Sequence, residues 1–465
     1  MARLPHENVL PITLDRHSTQ SLPEQIAAQI RGGVANGSLV SQQVLPSTRQ
    51  LAEQLGVARG TVVSAYEQLN SEEYISARPG GTTRISPELP PVPTTTPAAP
   101  AAVTHHTPTA QLSLRPGQAS PQVAQDSTWR SAWRQAASLT APEVDIRPLL
   151  ARHMRQTRSV VVTNIELTSG GRAGLSAVLI ALEQLAGRKL AVGFEFPGIA
   201  SLRQVASSLG HHIVRLQADE TGVVPSSLPH GKNAPDLVVV TPSHQYPAGG
   251  SLPAQRRFAL MEWARSNGCW IVEDDYDSEL RHATAPLPAL AAIDDAADPR
   301  VIFLGSFRTL LTPAVQAGWV TAPTPVFNQI LQVQRDTGVA ASAISRRALA
   351  LYLHSGHLPT HTRRLRKFYR GRLSKLQAEI SPIAGVKILG KSSGLNAALQ
   401  TTIPERQIVS ACASSNLEVV GMGEYWGHGA RHNGLMLGFG GGTDAEFDQA
   451  LSILSEVLAS YHGTA

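Results

Sequence analysis

The stretch Asp236-Leu-Val-Val-Val-Thr-Pro-Ser-His-Gln-Tyr-Pro-Ala-Gly-Gly250, with its continuation Gly268-Cys-Trp-Ile-Val-Glu-Asp-Asp-Tyr-Asp-Ser-Glu-Leu-Arg281, decides the fold class. Each part holds a short apolar run, Leu237–Val240 and Trp270–Val272, and a helical pattern from about Pro253 to Ser266 separates them. Continuous apolar runs of that length read as strands buried on both faces, and a helix between them makes a parallel βαβ unit. The expected class is α/β. Each strand empties into polar residues at its C-terminal end, the edge at which open α/β sheets bind ligands.

Five carboxylates crowd the second edge: Glu273, Asp274, Asp275, Asp277 and Glu279. A run of acids is ordinarily a solvated loop. Asp274, however, comes directly off a buried strand, where an ionised group needs a partner. The strings Thr241-Pro-Ser-His-Gln-Tyr-Pro-Ala-Gly249 and Glu273-Asp-Asp-Tyr-Asp-Ser-Glu-Leu280 resemble the signature of the MocR branch of GntR-type transcriptional regulators. Proteins of that branch join a winged helix-turn-helix to a body with the fold of class I aminotransferases, which bind pyridoxal phosphate (PLP). The resemblance implies a DNA-reading head over residues 1–86 and a linker over 87–115. It implies a body of PLP-dependent transferase fold type I over 116–465, ending in a small C-terminal α/β subdomain.

The bulk numbers are compatible with this division. A chain of 465 residues has room for two or three domains. No apolar stretch approaches the roughly 18 residues of a membrane span, and Met1-Ala-Arg-Leu-Pro-His-Glu7 lacks the order of a signal peptide. Two cysteines, Cys269 and Cys412, are too few for a disulfide framework or a cysteine-based zinc cluster. The expected compartment is a reduced cytoplasm, with no membrane partner. A net charge of +5 and a pI near 9.3 permit nucleic acid as a partner. The excess does not lie at the N-terminus, where acids and bases nearly cancel. It peaks between Arg346 and Lys375, a segment with many bases and no acid.

In the head, Ile26, Ala27, Ile30 and Val34 form one helix face closed by Asn36-Gly37. Ser47 can cap a second helix with Leu51, Ala52 and Leu55 inside, and Gly56 ends it. A third begins near Ala58, with Val62, Ala65, Tyr66 and Leu69 on its inner face. Two short helices broken at a glycine make the helix-turn-helix pattern, and the second of them enters the major groove with its N-terminal residues at the base edges. Leu45-Pro-Ser-Thr-Arg49, Leu51-Ala-Glu-Gln-Leu-Gly-Val57 and Arg59-Gly-Thr-Val-Val-Ser-Ala-Tyr-Glu-Gln-Leu69 resemble the GntR head almost throughout, and Arg78-Pro-Gly-Gly-Thr-Thr-Arg-Ile-Ser86 resembles its wing. By that resemblance Arg49 and Arg59 contact guanine or phosphate, Thr61 contacts phosphate, and Gly81 sits at the wing tip. Ser47, Thr48, Gly60 and Tyr66 belong to the same strings and complete the candidate DNA-contacting set. Arginine suits the task because its fork bonds guanine or phosphate bidentately. Two departures stand out: Ser41-Gln-Gln43 replaces the family's Pro-Gly turn, and Gly60 replaces Asn or Thr.

The Pro-, Ala- and Thr-rich linker has no helical or strand period and reads as a semi-rigid spacer of about 3 Å per residue. His105-His106 within it lacks a third metal ligand. Beyond it, Thr168-Ser-Gly-Gly-Arg-Ala-Gly174 turns a strand into a helix, and such turns present N–H groups to anions. The resemblance makes this turn the phosphate cup, with Gly170, Gly171 and Arg172 as candidates. It pairs Asp274 with a pyridinium nitrogen and Tyr276 with the ring hydroxyl, and adds Tyr246 to the cofactor-binding candidates. Glu195 and Pro197 keep the family's Glu-x-Pro, but Ile199 stands where the family has a stacking aromatic.

The segment Val301-Ile-Phe-Leu-Gly-Ser-Phe-Arg-Thr-Leu-Leu-Thr-Pro-Ala-Val-Gln-Ala-Gly-Trp319 aligns without a gap with the family's lysine-bearing segment. The Schiff-base lysine falls on Thr309, the serine before it on Arg308, and the phosphate-binding arginine on Gln316. Only an amine can form the Schiff base, and no lysine lies between Lys232 and Lys367. The expectation is a body without catalytic residues, in which Arg308 replaces the missing phosphate charge if PLP binds non-covalently. His357 and His361 have the spacing of a metal pair but no third ligand in their string. A core role and no metal are expected. The run Arg363, Arg364 and Arg366 reads as a solvated or inter-subunit face, with a phosphate-backbone patch as the minority reading. Arg431, just upstream of the tail strand, is the residue the resemblance offers for the carboxylate-binding arginine of aminotransferases.

These features describe a homodimeric regulator that binds double-stranded operator DNA, its body dimerising and sensing a small-molecule effector. Two alternatives stand beside it: a PLP-dependent aminotransferase with an appended DNA-binding head, and a dimeric DNA clamp with no ligand. The operator, the effector and the sign of regulation are not written in the chain.

Overall fold

Leu237–Val240 lies fully buried at the middle of an eight-stranded sheet, with alternate residues feeding two different cores. Leu237 and Val239 pack on one face with Leu175, Val178, Val326 and Ile330; Val238 and Val240 pack on the other with Leu260, Met261 and Trp263. A strand covered on both faces needs apolar residues at every position, which is why this run does not alternate. The computed structural model describes residues 10–76, 82–87, 112–138, 144–281, 288–389, 394–426 and 433–461. The chain divides into two compact units, Met1–Thr107 and Pro108–Ala465.

The first unit contains α1 (Leu22–Ala35), α2 (Thr48–Leu55), α3 (Arg59–Ser71), β1 (Ile75–Ser76) and β2 (Arg84–Ile85). The last two pair antiparallel as the base of a wing. Ile26, Ile30, Leu51, Val62, Ala65 and Leu69 make its core. Gly56 takes φ +63° at the end of α2, as expected of a helix-ending glycine. Gln25, buried in α1, holds the preceding segment by donating to the carbonyls of Asp15 and Gln20 and accepting from the Asp15 N–H. In the turn Ser41-Gln-Gln43, Gln42 adopts φ +65°, the left-handed region that the glycine of a Pro-Gly turn enters freely. Its N–H donates to Ile85 and its carbonyl accepts from Arg84, so the turn braces the wing.

The second unit begins earlier than expected. Leu112–Ser113 (β3) pairs in parallel with Leu417–Glu418, Gly438 donates to the Leu114 carbonyl, and Arg115 pairs with Glu418 at 3.0 Å. The expected linker end at residue 115 is therefore corrected: Leu112 to Arg115 already bond to the C-terminal subdomain. Next come α4 (Ser127–Ala137), α5 (Ile146–Arg158), β4 (Glu166–Thr168), α6 (Gly171–Ala186), β5 (Ala191–Phe196), α7 (Ala200–Ser208), β6 (His212–Asp219), β7 (Gly222–Val223) and β8 (Leu237–Val240). They are followed by α8 (Ala254–Ser266), β9 (Trp270–Asp275), β10 (Val301–Ser306), β11 (Gly318–Thr321), α9 (Thr324–Thr337), α10 (Ala343–His354) and α11 (Leu358–Ile380).

The sheet order is β4-β11-β10-β9-β8-β5-β6-β7, parallel from β10 through β6 and antiparallel at β11, β4 and β7. The expected strand at Trp270–Val272 runs three residues further, so Glu273, Asp274 and Asp275 are strand residues rather than loop.

The C-terminal subdomain adds β12 (Val386–Leu389), β13 (Asn396–Thr401), α12 (Glu405–Ser414), β14 (Leu417–Glu418), β15 (Val420–Gly421), α13 (Gly423–Trp426), β16 (Gly434–Gly438) and α14 (Asp444–Ser460). Its main sheet is antiparallel, in the order β12-β13-β16-β15. This is the small α/β subdomain expected from the tail.

Candidate functional sites in the head and the body

The head gathers its candidate residues at the adjoining N-termini of α2 and α3. Ser47 caps α2 reciprocally: its Oγ accepts from the Gln50 N–H at 3.3 Å, and Gln50 Oε1 receives the Ser47 N–H at 3.0 Å. Arg59 Nε donates to Thr48 Oγ1 at 3.4 Å, which ties the first turns of the two helices together. Arg49, Arg59 and Gly60 are exposed, and Thr48 and Thr61 are half-buried. Gly60 has open space where a side chain would stand, and α3 forms through it. Tyr66 is a correction. It is 6% exposed, and its hydroxyl donates to the Pro46 carbonyl at 2.9 Å. It holds the turn ahead of α2 from inside the core and has no surface to offer DNA. Gly81 and Arg78 lie outside the described residues, as do His105, His106 and Arg431.

In the body, all five carboxylates of the acidic run are buried. Four have basic partners. Arg158, itself 1% exposed, lies 2.8 Å from Asp275 and 3.8 Å from Glu273. His153 meets Glu279 at 2.8 Å, and His244 Nδ1 meets Asp277 Oδ1 at 2.6 Å. Asp274 has no basic partner among the described residues. Burial pushes its carboxyl up to about 8, with Asp275, Asp277, Glu195 and Glu273 adding to the shift. Burial likewise lifts Glu273 to about 7 against the pull of Arg158. It lifts Glu195 to about 7 although Glu195 accepts from Thr241 N, Thr241 Oγ1 and Val223 N. The C-terminal edge of the sheet thus presents a carboxyl with no cation against it among the described residues.

Around Asp274 the structure assembles most of the residues expected to hold a cofactor. Gly171 opens α6 directly across from it: a Cβ on Gly171 would stand 4.0 Å from Asp274 Oδ1. Gly170, at φ +92°, caps α6 in a conformation that suits glycine. Arg172, in the first turn of α6, and Arg308, just past β10, both stand exposed at this edge. The Arg308 guanidinium is held below its ordinary value by partial burial and by the nearby charge of Arg172. The backbone of Gln316, which the resemblance aligns with the family's phosphate-binding arginine, runs beside Gly170.

Thr309, 5% exposed, donates its hydroxyl to the Tyr276 carbonyl at 2.8 Å. The Tyr276 hydroxyl lies 3.0 Å from His244 Nδ1, its ring stacks on His244, and Tyr246 meets it edge-on at 5.6 Å. Tyr246 in turn shares a hydrogen bond with Tyr425 of α13. Ile199 lines a small hollow together with Phe194, Glu195, Gly198, Leu202, Val239 and Thr241.

Two participants were not singled out from the sequence: His244 and Tyr425. His244 lies inside the first signature string and its partner Asp277, one of the five carboxylates, inside the second, so their pairing had a signal. Tyr425, from a distant segment, had none. Gly394, at φ +71°, packs so close to Asp277 and His244 that a Cβ there would collide with both. His361 Nε2 bonds the Leu310 carbonyl at 2.8 Å, and His357 Nε2 lies 3.2 Å from Asp126, the cap of α4. Both histidines thus work within the packing of the body. Arg366 turns inward to the Glu279 carbonyl, which corrects its expected place on a solvated face; Arg363 and Arg364 are exposed.

Comparison with known proteins agrees with both halves. Residues 22–85 match the family model described as bacterial regulatory proteins, gntR family. The chain is 40% identical over 461 residues to the HTH-type pyridoxine biosynthesis transcriptional regulator PdxR of Corynebacterium glutamicum, covering 97% of this chain and 99% of that one. It is 28% identical to the probable rhizopine catabolism regulatory protein MocR of Rhizobium meliloti, over 78% of this chain and 77% of that one. Among solved structures, kynurenine aminotransferase from Pyrococcus horikoshii superposes with a TM-score of 0.65 at 21% identity, over 76% of this chain and 91% of that one. That last likeness establishes the fold of the body, PLP-dependent transferase type I. No described helix is long and apolar enough to cross a membrane. With a GntR head joined to an aminotransferase-like body and near full-length similarity to a named regulator, the chain belongs to the MocR-type subfamily of GntR transcriptional regulators.

Proposed function

We propose that this regulator binds its operator as a homodimer and that its body senses a phosphorylated pyridine, PLP or a close relative, held without a covalent bond. The observation that carries the reading is the set of groups around Asp274. A carboxyl without a described cationic partner faces the N-terminus of α6, where Arg172 and Arg308 stand together. Two guanidiniums and the free N–H groups of a helix N-terminus suit a phosphate dianion. Asp274 suits a protonated ring nitrogen, and Tyr276 and Tyr246 suit a ring hydroxyl. These residues fit non-covalent retention of PLP. They do not fit covalent attachment, because Thr309 offers a hydroxyl already engaged with Tyr276.

Bound PLP supplies an electron-withdrawing ring and, in the fold's enzymes, an aldehyde that reacts with amines. Here the chain's own residues neutralise the phosphate, pair the ring nitrogen and fill the amine's place with Thr309. The body is accordingly a receptor rather than an aminotransferase. The relative named for pyridoxine biosynthesis supports a promoter in vitamin B6 supply as the target.

Titration of the purified protein with PLP tests the reading, followed by absorbance, borohydride trapping and operator gel shift. Saturable binding that alters operator affinity and leaves no trapped adduct is expected. Turnover of an amino acid, or operator binding indifferent to every B6 vitamer, would sink it.

A further inference from the structure

The head carries almost no positive excess with which to hold a polyanion. Residues 1–107 contain seven arginines and lysines against eight acids, whereas residues 108–465 contain 33 against 27. Duplex DNA bears one negative charge per about 1.7 Å of axis, and phosphate neutralisation supplies most non-specific affinity. A head without net positive charge reads bases but contributes little of that attraction.

Within the body the excess concentrates at Arg346–Lys375, where nine bases meet no acid. The structure divides them. Arg346, Arg372 and Lys375 pair with Glu166, Asp444 and Asp448, and Arg366 turns inward. Arg363, Arg364 and Lys367 point to solvent on one face of α11, and none of the three forms an ion pair with a described carboxylate. Arg364 lies near enough to Tyr352 for its charge to act on that phenol, and the Tyr352 hydroxyl donates to Asp126, the cap of α4, at 3.1 Å. The two helices begin side by side, His357 at the cap of α11 lying 3.2 Å from Asp126 at the cap of α4, and the exposed Arg130 and Arg134 of α4 also lack an acidic partner among the described residues.

We propose that this face, Arg363, Arg364 and Lys367 of α11 with Arg130 and Arg134 of α4, is a second DNA-contacting surface that binds phosphates of the duplex flanking the operator. The proposal rests on the regulator reading and adds a role for the body in DNA affinity. Charge complementarity selects the partner: five cations on two neighbouring helices, with no described carboxylate against them, suit a regular polyanion. They form no apolar patch of the sort that another folded protein would cover.

The test uses the full-length protein and two DNA fragments, the minimal operator and the same operator with long flanks. Log affinity is measured against log salt for each. The wild type should show a steeper slope on the flanked fragment. The triple variant Arg363→Gln/Arg364→Gln/Lys367→Gln should lose roughly 0.9 of slope per lost phosphate contact and about tenfold in affinity on that fragment, with unchanged binding to the minimal operator. Arg130→Gln/Arg134→Gln should act in the same direction. Equal slopes for wild type and variants on the flanked fragment overturn the proposal. So does a variant whose association state changes in sedimentation, which would make the face a contact between copies. Arg49→Ala is the control: it should remove specific binding to both fragments, so failure of the head reading is visible separately.

Discussion

Thr309, which the resemblance aligns with the family's lysine, turns its hydroxyl onto the carbonyl of Tyr276, 2.8 Å away. The bond fixes the segment after β10 against the strand end that carries Asp274. Replacing Thr309 with Lys should convert non-covalent PLP binding into a borohydride-trappable adduct, seen as a mass increase absent from the wild type. A wild-type protein that already traps PLP contradicts this account of the site.

Asp274 gives a pH dependence with a definite sign. Its carboxyl is pushed up to about 8 in the folded chain, above the ordinary carboxylate range. The folded state therefore binds a proton that the unfolded state has released, and stability falls as pH rises from about 4 to about 8. At about 1.4 kcal/mol per pKa unit the penalty reaches several kcal/mol at the alkaline end. Asp274→Asn should flatten the dependence of Tm on pH in the ligand-free protein and raise Tm at pH 8. The same variant should bind PLP more weakly, because the ring nitrogen loses its counter-charge. A Tm profile unchanged by the substitution counts against the unpaired state of this carboxyl.

Arg172 and Arg308 should act together on phosphate. Charge-assisted hydrogen bonds contribute about 1.5–3 kcal/mol each, so Arg308→Ala should weaken PLP binding by roughly tenfold or more. Pyridoxal without its phosphate should be nearly indifferent to the change. Calorimetry with the two ligands separates them. Equal losses for both would place Arg308 outside the phosphate site.

In the head, Arg49→Ala or Arg59→Ala should abolish specific operator binding while sedimentation shows the same association state as the wild type. Loss of one base-reading arginine costs about 1–3 kcal/mol of discrimination. A gel shift that neither substitution disturbs removes these residues from the DNA interface.

Gln42 offers a stability test that touches neither ligand. A non-glycine residue at φ +65° costs about 1 kcal/mol or more relative to glycine. Gln42→Gly should stabilise the head by about that amount, measured as a shift in its thermal or denaturant midpoint. A neutral or destabilising result would mean that the Gln42 side chain contributes what its backbone loses.

Much of this was legible in the chain because local chemistry and topology agreed. Leu237–Val240 could only be a strand covered on two faces, and Gly56 could only end a helix. The two signature strings pointed to the body, whose fold the comparisons bear out. What escaped depended on contacts between distant segments. The acidic run resembled a loop because the partners that bury it, Arg158 and His153, come from α5, more than a hundred residues earlier. Periodicity put Tyr66 on the inner face of α3 while its string put it among the DNA-contact candidates, and its burial and its bond to Pro46 decide for the inner face. The linker seemed to extend to residue 115 because no local pattern announces a two-residue strand whose partner lies near residue 417.

That two-residue strand has a mechanical consequence. Leu112 and Ser113 are stitched to Leu417 and Glu418, and Leu114 to Gly438, so the first described residues of the body are anchored on the C-terminal lobe rather than on the large sheet. Through Tyr425 and Gly394 the same lobe leans on Tyr246, His244 and Asp277. A tilt of the lobe would therefore carry Leu112–Arg115 with it and press on those three side chains at once.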